Sequence, residues 1–92
     1  MRVIYKYPFS IADAFTLRLP VGAKILSVQL QDGQPTLWAM VDPREPATWI
    51  REFRVFWTGR FVPDATDYPP LVFLATIQMN GLVWHLFEAL PL

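Results

Sequence analysis

The sequence predicts a small all-β fold, an antiparallel sandwich or partly open barrel of six to seven short strands. Three observations lead there. Nine prolines, about double the usual share, cut the chain into short pieces. The pieces between them are rich in Val, Ile, Phe, Trp and Thr, the residues that fit a pleated, half-buried surface. Two dipeptides, Asp32-Gly33 and Asn80-Gly81, suit the two-residue hairpin turn whose central residues both need positive φ. Proline is excluded from helix interiors and from central ladders alike, so short strands separated by turns are the economical reading.

The expected strands are 2–7, 14–19, 24–31, 35–42, 48–57, 71–79 and 82–88. The stretch SIADAFTLRL, with Ser10 as a favoured cap, is the one place where a helical turn competes, but it is short and ends at Pro20. The two tight turns fix register. In the last hairpin Met79 faces Leu82, Ile77 faces Trp84 and Ala75 faces Leu86. The reverse side carries Gln78 with Val83, Thr76 with His85 and Leu74 with Phe87. In the first hairpin Val28 faces Leu37 and Leu26 faces Ala39. Its reverse side carries Gln29 with Thr36, Ser27 with Trp38 and Ile25 with Met40. A slip of one residue would exchange every face.

Each hairpin therefore has one clean apolar face, expected in the core, and one mixed face. Trp38, Met40 and Ile25 form an apolar patch on one mixed face; Phe87, Leu74 and His85 form one on the other. In strand 48–57, Trp49, Phe53, Val55 and Trp57 share a side with Arg51, and Ile50, Glu52, Arg54 and Phe56 share the other. Residues 58–70 contain Gly59, Pro63, Pro69 and Pro70 and read as a long loop, a kind of segment that is often functional.

Ninety-two residues make one small β domain spanning 1–92. A chain of this length buries roughly two-thirds of its unfolded surface, so its core is thin. Yet 53% of the residues are apolar and 15% aromatic, more than a thin core needs. The surplus is expected on the surface as a contact site, most simply between copies of the chain. Eight basic and eight acidic residues cancel. Nucleic-acid binders carry a basic excess, so this balance argues against nucleic acid as a partner. The N-terminus has no apolar h-region, and every apolar run ends well short of membrane-spanning length. The expectation is a soluble, cytoplasmic protein with no membrane partner.

Catalytic groupings are hard to find. With one His and no Cys, a metal would need a set built almost wholly of carboxylates, and no metal or other cofactor is expected. Ser10 and Ser27 lie in no nucleophile elbow, and no phosphate-cradling glycine motif occurs. Asp64 and Asp67 most simply cap turns in their loop. His85 and Glu88, three apart on a strand, point to opposite faces and make no relay. His85 itself reads as a half-exposed polar group on a mixed face, or as a hydrogen-bonding and stacking group for a ligand. No catalytic residue is assigned, and the chain is read as a non-enzyme.

Two binding readings remain. Trp and Arg carry much of the energy in protein contacts, and Trp38, Met40, Trp49, Arg51, Arg54 and Trp57 are the expected interaction residues. Alternatively Arg54, Arg60, Tyr68 and His85 bind a small anionic, nucleotide-like ligand. Arginines interleaved with aromatics stack nucleic-acid bases in some proteins, but their stems also simply cover apolar surface.

Four stretches add a resemblance: IYKYP (4–8), LPVGAKILSVQLQDGQPTLWAMVDP (19–43), FRVFWTGR (53–60) and VWHLFE (83–88). In this order they resemble a family of small uncharacterised β-rich proteins found mostly in tailed bacteriophages and in bacterial genomes. The resemblance implies no activity. Taken together with the surplus of Trp and Phe and the lack of catalytic groupings, it leads to the expectation of a phage-encoded interaction protein that binds and modulates a host protein in the host cytoplasm; a minor virion component is the alternative. Members often carry Gly-Thr-Gly-His where this chain has Trp57-Thr58-Gly59-Arg60, so a pairing between that histidine and the terminal one has no counterpart here.

Overall fold

The computed structural model describes every residue except Ala65, Asp67 and Leu92. Asp67, the partner of Asp64 in the loop, therefore lies outside the described residues. Among the described residues seven strands follow one another: β1 (Val3–Pro8), β2 (Ala14–Pro20), β3 (Lys24–Gln31), β4 (Gln34–Val41), β5 (Thr48–Trp57), β6 (Leu71–Met79) and β7 (Leu82–Ala89). The SIADAFTLRL stretch forms no helix; its second half is β2. All pairings are antiparallel. They build a three-stranded sheet in the order β1-β4-β3 and a four-stranded sheet in the order β2-β5-β7-β6.

The two sheets form a small sandwich, not a closed barrel. Its thinnest dimension is 16 Å, which suits two layers stacked about 10 Å apart. Val28, Leu37, Ala39 and Val41 from the first sheet meet Leu19, Phe53, Val55, Ile77 and Leu86 from the second in one core. Phe9, from the β1–β2 connection, stacks on Phe15, with ring centroids 4.7 Å apart, and Phe15 stacks on Phe53 at 5.1 Å. Pro8 and Pro20 end the edge strands β1 and β2, where the missing N–H costs least.

Both predicted turns are present. Asp32 and Gly33 have φ of 51° and 79°, and Asn80 and Gly81 have 56° and 75°. Positive φ at both central residues matches the right-handed twist of the flanking strands. At Gly33 a side chain would meet no neighbour, so backbone strain alone decides its cost. Gly33→Ala should therefore lower stability by about 1–2 kcal/mol. Urea unfolding of the variant would measure it, and an unchanged midpoint would contradict the turn geometry.

Register holds near each turn and changes farther out. Val28–Leu37, Gln29–Thr36 and Ser27–Trp38 pair as expected. Between Ile25 and Ser27 the ladder slips by one residue, so Ile25 faces Ala39 and Lys24 faces Met40. The expected pairs Leu26–Ala39 and Ile25–Met40 do not form. A bulge places two residues against one, and alternation reverses beyond it. Ile25 thereby packs against the core, while Leu26 turns outward and stays 41% exposed. β6 repeats the device. Met79–Leu82 through Ala75–Leu86 pair as expected, but a bulge between Phe73 and Ala75 puts Phe73, not Leu74, opposite Phe87. Leu74 packs on the core and Phe73 is 55% exposed.

Strand β5 departs from its expected pattern only at the ends and on the back. Phe53 and Val55 are fully buried, but Trp49 and Trp57, on the same side, lie beyond the core and are exposed. Phe56, on the opposite side, is buried outside the core, in edge-on contact with Phe87 and beneath the Arg60 guanidinium.

Candidate ligand cleft and contact faces

The chemistry-bearing residues fall into three places. The first is one end of the sandwich, where β5 begins and β7 finishes. Phe53 pairs with Glu88, so Arg51, two residues back along β5, is the diagonal neighbour of Glu88 on the inner face. Arg51 donates from Nε to Glu88 Oε2 at 2.6 Å and from Nη2 to Oε1 at 2.7 Å. Its Nη1 donates to the Ala23 carbonyl at 2.6 Å, in the connection between β2 and β3. One guanidinium thus ties the two central strands of the larger sheet to the chain entering the smaller one. Both side chains are mostly buried, with 20% and 11% of their surfaces exposed.

A cleft of about 510 Å³ opens over this pair. Gly22, Ala23, Trp49, Ile50, Glu52, Ala89, Leu90 and Pro91 line it with Arg51 and Glu88. Trp49 and Ile50 are 60% and 59% exposed. Large apolar side chains that open to solvent at the mouth of a cleft are available for contact.

The second place is the outer face of the larger sheet. Phe73, Phe87 and Phe56 run across it in edge-on contacts, at 5.5 and 5.8 Å between centroids. Arg54 lies beside them, donating from Nε to the Tyr68 hydroxyl at 2.8 Å and standing 4.0 Å from the Glu52 carboxylate. Arg60 donates to Asp13 at 2.9 Å, with its guanidinium 5.1 Å from the Phe56 ring centre and 5.0 Å from that of Trp57. His85 has both ring nitrogens in hydrogen-bond range of hydroxyls: Nδ1 with Thr76 at 3.1 Å and Nε2 with Thr58 at 2.8 Å. In a neutral imidazole one nitrogen donates and the other accepts, and two hydroxyls satisfy both roles.

The four residues expected around an anion therefore share one side of the molecule. Each is held by neighbours: Arg54 by Tyr68, Arg60 by Asp13, His85 by two threonines. An incoming anion would have to displace those partners. Thr76 beside His85 is as expected from register; Thr58 is not, because it arrives through the β5–β7 pairing and the Thr58 N–H bond to Val83. His85 and Glu88 do face opposite ways, one to the threonines and one to Arg51. Among the described residues no three His, Asp or Glu side chains gather as a metal site, and no helix is long and apolar enough to cross a membrane.

The third place is the outer face of the smaller sheet. Ile4, Leu26, Ser27, Gln29 and Trp38 surround a shallow depression there, with Met40 next along β4. The expected patch of Trp38, Met40 and Ile25 is corrected in one member, since the bulge replaces Ile25 with Leu26. The six expected interaction residues are thus dispersed. Trp38 and Met40 lie on this face, Trp49 and Arg51 in the cleft, and Arg54 on the outer face of the larger sheet. Trp57 sits at the far end of β5, edge-on to Trp84 at 5.9 Å. Sequence reasoning missed Glu88 as the partner of Arg51, and Ile4, Leu26, Ile50 and Phe73 as exposed apolar groups.

No curated protein and no solved structure matches the chain. A family model does match it, over residues 1–91, and its description is a domain of unknown function, DUF7352. With nearly the whole of its length matched, the chain belongs to that family.

Proposed function

We propose that this protein is a non-catalytic interaction module, phage-encoded, that associates with itself and binds a host protein in the host cytoplasm. The observation that carries the reading is the outer face of the smaller sheet. An antiparallel sheet with one face on the core ordinarily turns polar residues outward. This one turns out Ile4, which is 57% exposed, together with Leu26, Trp38 and Met40. The bulge in β3 contributes to the patch by moving Leu26 onto it.

The test is sedimentation velocity of the purified chain, wild type against Trp38→Ala. Trp38 lies outside the core cluster, so its truncation should leave folding cooperative. Removing a Trp from the centre of a contact commonly costs more than 1 kcal/mol, so the self-dissociation constant should rise by about tenfold or more. A wild-type chain that stays monomeric at high concentration overturns self-association. For the host protein, the measurement is quantitative affinity purification from host cells with wild type and with Ile4→Asp. One host protein enriched with wild type and lost with the variant supports the reading; equal recovery with both sinks it.

A further inference from the structure

We propose that the cleft over the Arg51–Glu88 pair is a binding site for a small, uncharged, mostly apolar molecule that carries a hydrogen-bond acceptor. Its volume of about 510 Å³ falls inside the roughly 300–1,000 Å³ of small-molecule sites. The walls are apolar where a ligand would stack or slide: Trp49, Ile50, Leu90 and Pro91. The charged side chains among the lining are few, Arg51, Glu88 and Glu52, as in sites where a small number of polar groups fixes a ligand's orientation.

The charges select the ligand's class. At the base, Arg51 and Glu88 neutralise each other in a two-point pair. Glu52, which also lines the cleft and is half exposed, stands 4.0 Å from Arg54 on the outer face of the larger sheet. The buried pair leaves no net charge to compensate the loss of hydration that an ion would suffer on entering an apolar cleft, and a half-exposed, solvated Glu52 with Arg54 nearby compensates little of it. An uncharged molecule suffers far less. The acceptor follows from counting donors. A guanidinium has five N–H groups. Arg51 engages one on Nε, one on Nη2 and one on Nη1. One N–H on each terminal nitrogen remains, on a group that lines the cleft and is rigidly held. A carbonyl or ether oxygen meeting these would complete the arginine without breaking its other bonds. The site is separate from the outer face of the smaller sheet, so it stands or falls independently of the self-association proposed above.

The experiment is NMR titration of the full chain, observing backbone amides, Trp indole N–H groups and arginine Nε–H groups. Three probes of similar size are used: acetanilide, which is uncharged with a carbonyl acceptor, benzoate, an anion, and benzylammonium, a cation. Acetanilide should shift the Gly22 amide, the Trp49 indole and the Arg51 Nε–H along one saturating curve. Both ions should bind at least about tenfold more weakly. Trp49→Ala should weaken acetanilide by about the same factor, and Trp49→Phe should restore most of it. Should Trp49→Ala fail to fold, the wild-type shifts decide the question alone. Benzoate or benzylammonium binding as tightly as acetanilide overturns the proposal. So does a lack of saturation, or shifts that map away from the cleft.

Discussion

Glu88→Ala should cost up to about 3–5 kcal/mol, because it leaves a mostly buried Arg51 with no counter-charge. For a domain of this length that is a fall in Tm of roughly 12–40 °C. The loss is not the worth of the pair. Removing both members at once, as Arg51→Met with Glu88→Leu, replaces two desolvated charges with apolar volume and should be much milder than the single change. A residual cost is expected from the Ala23 carbonyl, which loses its donor, at about 1–3 kcal/mol. Urea unfolding of the four proteins in the cycle measures this directly. The pair is mostly buried, so the penalty for Glu88→Ala should persist in high salt, where exposed pairs are screened. A penalty below about 1 kcal/mol, the range of exposed pairs, would mean that water reaches the guanidinium freely. The double variant also separates stability from ligand binding, since it should fold yet lack the arginine N–H groups at the base of the cleft.

That pair was invisible to sequence reasoning for a definite reason. Arg51 and Glu88 are 37 residues apart, and only the β5–β7 ladder brings them together. Alternation in TWIREFRVFW puts Arg51 and Arg54 on opposite sides, but nothing local says that a carboxylate from another strand clamps Arg51 on the inner one. The hairpins were legible because their information is local: Asp32-Gly33 and Asn80-Gly81 fix a turn, and the turn fixes the pairs nearest to it. Legibility ends at the bulges. Ile25 and Leu26 are equally apolar, as are Phe73 and Leu74, so hydrophobicity alone cannot say which of each enters the core. The sandwich settles it by packing. In both strands the slip changes which apolar residues face outward, and it places Leu26 on the very patch expected to make contacts. The seven strands were readable one by one; the pairing of β1 with β4 and of β2 with β5 was not, because no short turn joins them.

Phe53→Ala should be the most damaging change in the core, at about 3–5 kcal/mol. Phe53 is fully buried, sits directly across from Phe15, and ends a stack that runs through Phe15 to Phe9. Truncation removes apolar contact and leaves a hole between two sheets whose separation is held by the rest of the core, so collapse around it is limited. Total stabilities of small domains are about 5–15 kcal/mol, so a third or more of the margin would go. Phe53→Leu sorts the contributions. It keeps most of the volume and forfeits the stacking, which is worth about 0.5–1.5 kcal/mol for an aromatic pair. The difference between the Ala and Leu variants then reports the cavity. Urea midpoints at constant slope are the readout, since a changed slope would signal an altered unfolded state instead. If Phe53→Ala cost less than about 1.5 kcal/mol, the sheets would have to close over the gap. The rest of the core would then be too yielding to hold the two sheets apart around Phe53.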